Sequence, residues 1–338
     1  MNQELLSFSA FSGKISSPLL FWISLILSTL GISGIAIFLE TDNLTQGMQF
    51  EQLLSLKLIC YANLLLFASS VLYLAHLWFT AETVGRLATG LAAAGAVGVS
   101  AALLVRWFET YHLLREGYVP ISNLYEVTAL FSAITVFIYL AMESAYRTRS
   151  AGAFVMPIVL SGVLFEIWLA SNGYADPANL LPALKSYWLH AHVLASFIGY
   201  GAFTVAAGAG VMYLLRARAE GLGYPHTFAL RVLPGLKQID NMIFKSIMVG
   251  FPVFTLATIL GAAWAYDAWG GYWSWDPKET WSLLVWLTYA TYFFLSCFRR
   301  WEGKRMAWWA IMGFGMSLFT FLGVNLFLPG LHTYGQLG

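Results

Sequence analysis

Long apolar stretches separated by short polar connections make up most of the chain. Nine runs of about twenty apolar residues occur, near 18–39, 56–79, 86–105, 124–142, 153–171, 189–215, 243–266, 280–298 and 307–328. As a helix, a run of that length spans the hydrocarbon core of a bilayer, and its backbone hydrogen bonds close within the segment. The pattern predicts an all-α integral membrane protein with about nine transmembrane helices. The first run is too long for the core of a signal peptide and is predicted to be a retained helix.

The lysine and arginine residues fall unevenly between the two sets of connections. Thirteen of the eighteen lie at one end of the predicted helices, and the other end has Lys57, Arg106, Arg115, Lys185 and Lys278. Because cytoplasmic loops carry the excess of positive charge, the N-terminus is predicted to be cytoplasmic and the C-terminus extracytoplasmic. The connection between the seventh and eighth helices then faces the extracytoplasmic side.

Composition narrows the function classes. The chain is 59% apolar and 10% charged, with a net charge of +1 that gives no electrostatic reason to expect nucleic-acid binding. Cys60 and Cys297 lie far apart in apolar segments and form no CxxC pair, which argues against thiol–disulfide chemistry. The HExxH, GxSxG and P-loop patterns of common hydrolases and nucleotide-binding proteins are absent from the sequence.

The stretch 264–286 holds six of the fourteen tryptophans. Indole is flat and amphipathic, so such a cluster suits either the membrane interface or a surface on which a large planar ligand lies. Trp269, Trp273, Trp275 and Trp281 are more than interfacial anchoring needs, which favours the ligand surface.

A helix start is encoded within the same stretch. Asp276 is a predicted N-cap, Pro277 occupies the first helical position, and Glu279 can reach back to the cap. This structural interpretation accounts for these residues without a ligand.

Four histidines fall on the predicted extracytoplasmic side: His112, His190, His192 and His332. A lone histidine at a membrane edge is usually a hydrogen-bonded interfacial residue, but several beside an aromatic-rich loop favour axial ligation of haem. A zinc site would need three or four ligands close together and would give the tryptophans no role. His190 and His192 are two residues apart, so they point in different directions on a helix, and their spacing does not decide which faces a ligand.

WGGYWSWDPKETW at 269–281 closely resembles the WWD signature of the haem-handling proteins of cytochrome c maturation, specifically the CcsA type, also called ResC or CcsB. The blocks at 106–126, 181–193 and 323–335 are similar to other blocks of that family and follow its order. The likeness divides the chain into 1–55, an N-terminal tail with the first helix and an outer loop, and 56–338, a cytochrome c assembly membrane domain containing the WWD loop.

The resemblance implies that the chain presents haem b, as substrate and transiently bound ligand, for covalent attachment to CxxCH apocytochromes c. It implies a subunit of a cytochrome c synthase complex with a Ccs1/ResB-type membrane partner, in the lipid of a bacterial inner or thylakoid membrane. The alternatives are a haem exporter or chaperone that does not complete attachment, a haem-b electron-transfer subunit, and a scaffold whose tryptophans are only interfacial.

The resemblance also assigns a site. His192, in the WLxxHV block, and His332, in the GLHxYG block, match the family's axial ligands, whereas His190 is left to pack at the interface. The four tryptophans and Asp276 complete the expected haem-binding set with Lys278, which either pairs with a propionate or is a solvated residue of the first helical turn. Phe294 stands where the family carries a further histidine, so we expect either His76 or the partner to supply an inner ligand.

Overall fold

The structure, a computed structural model, describes residues 16–44, 53–114, 117–177, 179–222 and 227–332. Within these ranges the chain is helical and contains no strand. The helices are α1 (Ser16–Leu44), α2 (Leu54–Phe79), α3 (Glu82–Leu114), α4 (Leu124–Tyr146), α5 (Gly152–Ser171), α6 (Tyr187–Gly221), α7 (Phe228–Val232), α8 (Leu236–Trp269), α9 (Pro277–Phe298), α10 (Lys304–Leu318) and α11 (Val324–Phe327). A 3₁₀ turn at Pro182–Leu184 precedes α6, and a π-helical turn at Phe319–Gly323 joins α10 to α11.

The predicted all-α multi-pass membrane fold is confirmed. Among the described residues, eight helical segments are long and apolar enough to cross a bilayer, the last of them running through α10, the π-helical turn and α11. A shorter apolar stretch, Trp22–Ile37, lies in α1 and corresponds to the first predicted span. Spans separated by short connections alternate in direction, so the α3–α4, α5–α6 and α8–α9 connections and the segment after α11 share one end of the bundle. We call this the tryptophan end.

The long helix α6 occupies the centre of the bundle. It packs most extensively on α8 and also contacts α4, α5 and α10. Small residues allow this close packing, as is usual between membrane helices. A Cβ at Gly210 of α6 would lie 2.9 Å from the carbonyl oxygen of Ala307 in α10, and one at Gly250 of α8 would lie 2.8 Å from the Phe203 ring. The central helix therefore holds α8 and its attached tryptophan loop at a fixed depth.

Arg106, which lies just beyond the predicted end of the third span, is buried in the core of the bundle. Its side chain is fully buried, and its Nε donates to Glu126 Oε1 at 2.5 Å. It also donates to the carbonyl oxygen of Ala175. Hydropathy marks an arginine as the end of a span, but a buried charge is tolerated where a carboxylate neutralises it. This pairing lets α3 continue to Leu114, nine residues beyond the predicted boundary at 105.

The same ion pair fixes the connection that precedes α4. The other Glu126 oxygen, Oε2, accepts from the backbone N–H of Ser122 at 2.8 Å, while Asn123 caps α4 by accepting from the N–H of Glu126 at 2.9 Å. Asn123 and Glu126 are thereby held against α3. This connection forms part of the wall of the candidate site.

Candidate haem site at the tryptophan end

A cavity of about 170 Å³ opens between α4, α6, α8, α9 and the C-terminal segment at the tryptophan end. Its α6 lining runs from Leu189 to Tyr200, about 16 Å along the helix axis. The deep part is aromatic, with Phe197, Tyr200, Phe254 and Phe321. Polar side chains concentrate nearer the outer end, where His192, Lys278 and His332 lie. The cavity therefore combines an apolar interior with a small set of polar groups, as ligand sites usually do.

The tryptophan loop is held by the helix ends on both sides. Gly270 closes α8 in a left-handed conformation with φ of +76°, which a residue without a Cβ adopts freely. At the other end Asp276 and Glu279 form the predicted capping box of α9, with Pro277 at the first helical position. Trp275, just before the cap, also has a positive φ of +60°, unusual for a bulky residue, and its side chain is 69% exposed.

His332 lies against this cap. Its Nδ1 donates to Asp276 Oδ2 at 2.8 Å, and its side chain is 12% exposed. Burial lowers the pKa of the His332 imidazole to about 4, outweighing the opposite effect of the Asp276 carboxylate. His332 is therefore neutral at pH 7. Because Nδ1 carries the proton, the lone pair is on Nε2, the state in which imidazole binds a metal.

His192 is fixed on the facing helix. Its Nδ1 donates to the carbonyl oxygen of Ala257 in α8 at 2.8 Å, which again leaves Nε2 as the free nitrogen. Gly261, one turn further along α8, makes room for the ring, since a Cβ there would lie 2.7 Å from Nδ1. Metal-bound histidines almost always donate their second ring N–H to a carbonyl or carboxylate oxygen. Both histidines have this arrangement.

Trp264 contacts both histidines. Its ring stacks on His192 at a centroid distance of 5.9 Å with 20° between the planes, and it meets His332 edge-on at 5.2 Å and 73°. The indole is anchored because Nε1 donates to the carbonyl oxygen of Ala183 at 2.8 Å. Trp269 packs on His332 as well, with centroids 4.7 Å apart. The two imidazoles thus share one aromatic setting within one cavity.

The other predicted tryptophans have different positions. Trp273 lines the cavity and meets Trp275 edge-on at 5.8 Å, while Trp275 extends to the surface. Trp281 is not among the residues that line the cavity and packs on Phe319 of the π-helical turn, with ring centroids 4.3 Å apart. Of the four tryptophans named from the sequence, two therefore lie at the site: Trp269 packs on His332, and Trp273 lines the cavity.

Lys278 is not the solvated residue that one interpretation of the sequence allowed. It is half-buried in the cavity wall, and its Nζ donates to Asn325 Oδ1 at 2.7 Å. Its hydrogen-bond partner is a neutral amide, and in the part of the chain that the structure describes Nζ bonds directly to no carboxylate. An anionic group of a ligand would supply one.

Several other residues considered from the sequence lie outside the cavity. His190 is half-buried and absent from its lining, and His112 packs on Phe108 at the end of α3 with ring centroids 4.4 Å apart. Arg115 lies outside the described residues.

The positions considered for an inner haem ligand lie on different helices. Phe294 on α9 is 50% exposed and stacks on Phe298. His76 is bonded through Nδ1 to the carbonyl oxygen of Ala81 at 2.9 Å, at the turn between α2 and α3. His76 thus already has a hydrogen-bond partner within the protein.

Sequence reasoning missed three residues that shape the site: Trp264, Gly261 and Asn325. Trp264 belongs to the tryptophan-rich stretch, but nothing in that stretch marks it as the ring that contacts both histidines. Gly261 lies three residues before it on α8, where a small residue signals close packing without naming the neighbour. Asn325 is 47 residues from Lys278, and only the fold brings them together.

Comparison with known proteins identifies the class. Residues 121–332, which include both histidines and the tryptophan loop, match the family described as Cytochrome C assembly protein. Fold and site together therefore define an integral membrane protein of the cytochrome c assembly class. The chain is 32% identical over 321 residues to the Cytochrome c biogenesis protein CcsA of Gloeobacter violaceus, covering 81% of this chain and 93% of that protein.

Further relatives agree. The protein of the same name from Synechococcus elongatus is 34% identical over 293 residues, covering 73% of this chain and 88% of its own length. That of Guillardia theta is 34% identical over 255 residues, covering 71% and 83%. The chain belongs to the CcsA family of cytochrome c biogenesis proteins, and its role lies in cytochrome c maturation.

Proposed function

We propose that the chain binds haem b at the tryptophan end and presents it, on the extracytoplasmic side, for covalent attachment to CxxCH apocytochromes c. In this proposal it acts with a Ccs1/ResB-type membrane partner as a subunit of a cytochrome c synthase. The predicted excess of positive charge at the opposite end of the bundle supports the orientation.

One observation carries the proposal: His192 and His332 line the same cavity, and each has its Nδ1 bonded to an oxygen acceptor. Each imidazole therefore has only Nε2 available to a metal. Haem iron takes two such axial ligands, whereas no group of three or more potential ligands among His, Cys, Asp and Glu occurs in the described part of the chain. The donor set fits haem.

The walls fit the rest of the macrocycle. The rings of Trp264, Trp269 and Trp273 offer faces and edges, and Lys278 with Asn325 offers a partner for a propionate. The cavity, at about 170 Å³, is smaller than the roughly 300–1,000 Å³ of sites that enclose a drug-sized ligand. A haem held here would extend beyond the cavity, and Lys278 would be the partner of a propionate.

The chemistry requires little from the protein beyond positioning. Each acceptor thiol adds across one vinyl group, so that sulfur bonds to one vinyl carbon and the thiol hydrogen goes to the other. The histidine of the acceptor CxxCH replaces one protein ligand on iron. Holding thiols and vinyls together in the productive orientation would supply most of the rate gain.

We further propose that Phe294 is not an inner haem ligand site and that an inner ligand comes from His76 or from the partner. Phe294 is a half-exposed phenylalanine and has no ligating atom. The Nδ1 of His76 is bonded to the carbonyl oxygen of Ala81, which leaves Nε2 as the ring nitrogen for a metal, as in His192.

The test is co-expression of the full chain with its partner and a CxxCH acceptor in a host lacking other cytochrome c assembly, scored for haem that stays on the acceptor after denaturation. H192A and H332A should abolish attachment, and added imidazole should restore part of it. H190A is the matched control because His190 lies at the same end outside the cavity lining, and it should attach haem normally. Attachment at wild-type levels by either H192A or H332A would refute the proposal. Haem binding without attachment, with the partner present, would favour the exporter or chaperone.

A further inference from the structure

The Asp276 carboxylate is bonded more extensively than a helix cap requires. Oδ2 accepts from the backbone N–H of Lys278 at 3.0 Å, which completes the cap, and also from His332 Nδ1 at 2.8 Å. Oδ1 accepts from the backbone N–H of Leu331 at 2.6 Å. The side chain is only 4% exposed. One buried carboxylate therefore joins the start of α9 to the segment that carries His332.

The neighbouring chain is built around this carboxylate. A Cβ at Gly330 would lie 2.4 Å from Asp276 Oδ1, closer than any real contact, so only glycine permits this approach. Gly330, Leu331 and His332 thus form a short turn that encloses one side of the carboxylate. This arrangement holds the His332 ring in one orientation.

The two imidazoles differ in the group that accepts the hydrogen bond from Nδ1. His332 donates to a carboxylate, whereas His192 donates to the neutral carbonyl oxygen of Ala257. A hydrogen bond to a carboxylate raises the basicity of the opposite ring nitrogen more than one to a neutral carbonyl does. A more basic nitrogen binds ferric iron more strongly.

We infer that Asp276 is the positioning residue for His332 and makes it the stronger of two unequal axial ligands, leaving His192 as the exchangeable one. The inference rests on the proposed haem ligation and adds that the two ligands differ in strength. A site that must hold its substrate and then release it gains from one firm and one labile ligand.

The decisive variant is D276N. Asparagine caps helices about as well as aspartate, so its oxygen in the Oδ2 position would keep α9 capped and would still accept from His332, without the charge. Its NH2 group would replace the acceptor of the Leu331 N–H, and the H332A background separates that change from the loss of charge at His332. D267N is the matched control: it removes the same charge near the end of α8, where Asp267 accepts from Ser186 Oγ at 2.9 Å and lies outside the cavity lining.

Ferric-haem affinity and midpoint potential would be measured on the purified full chain, in the wild-type, H192A and H332A backgrounds. D276N should weaken ferric-haem binding by about 10- to 100-fold wherever His332 is present. In H332A it should have no effect, and D267N should have none in any background. In the wild-type background, D276N should raise the midpoint potential by about 59 mV for each tenfold by which it weakens ferric-haem binding more than ferrous-haem binding. H192A should retain ferric haem better than H332A does.

The outcomes separate this inference from the proposed function. If wild type shows two-histidine haem but D276N leaves the potential unchanged, or weakens binding equally in H192A and H332A, Asp276 is only a helix cap and the inference is wrong. If H332A keeps the wild-type spectrum, the proposed ligation itself is wrong.

Discussion

Replacing Gly261 by alanine would place a methyl group against the ring of His192. The built Cβ would lie 2.7 Å from Nδ1 and 2.8 Å from Cε1, where ordinary contact begins at 3.4 Å. The ring must therefore retreat by about 0.7 Å, the difference between these two distances. Both atoms belong to the ring that the hydrogen bond to Ala257 holds in place.

That displacement is large for a ligand and small for the fold. Metal–ligand distances are held within about 0.2 Å, so a shift of about 0.7 Å breaks ligation when the second ligand, His332, keeps the iron in place. Alanine in a helix gains up to about 1 kcal/mol over glycine, which offsets the roughly 0.5–1.5 kcal/mol of a lost hydrogen bond. We expect the free energy of unfolding to change little while the His192 ligand is lost.

The assay compares haem spectra and thermal unfolding of the purified G261A and wild-type chains. G261A should convert six-coordinate low-spin haem to a five-coordinate form at an unchanged melting temperature. G90A is the control, because Gly90 in α3 has no atom within 4 Å of its built Cβ, and it should leave the spectrum as in wild type. A wild-type low-spin spectrum in G261A would refute the assignment of His192.

Three further predictions follow from the site. K278Q should abolish any preference for haem over its dimethyl ester in binding titrations, because Lys278 is the proposed propionate partner; a preference that persists would exclude that role. Since burial lowers the folded-state pKa of His332 from 6.5 to about 4, the unfolded state binds the extra proton. The unfolding free energy should therefore fall by up to about 3 kcal/mol as pH drops from about 6.5 to 4, and thermal unfolding of H332N should lack this component. F294H should bind no additional haem per purified chain, because Phe294 lies half-exposed against Phe298; an extra haem band would restore the position as a ligand site.

Local chemistry predicted the elements whose causes are local. Runs of apolar residues located the spans, since a bilayer requires a fixed helical length. The capping box was readable because Asp276, Pro277 and Glu279 interact within one turn. Helix ends were less predictable: the hydropathy signal stops near Arg106, but its buried partner Glu126 on the next span lets α3 continue.

The site itself depended on contacts between distant segments. The resemblance selected His192 and His332, but no sequence signal shows that Trp264 contacts both of them or that Asp276 accepts a hydrogen bond from His332. The tryptophans of the loop have no regular period, so their directions follow from the turn at Gly270 and the positive φ at Trp275. For this reason the sequence could not separate Trp273, which lines the cavity, from Trp281, which packs on Phe319.

If His192 and His332 bind the same iron, electron paramagnetic resonance of ferric haem will distinguish the purified wild-type chain from H192A and H332A. Wild type should give one low-spin, two-histidine signal, which should be lost in each variant and recovered when imidazole is added. A low-spin signal that survives unchanged in either variant, or a high-spin signal in wild type, would contradict ligation of one iron by both histidines.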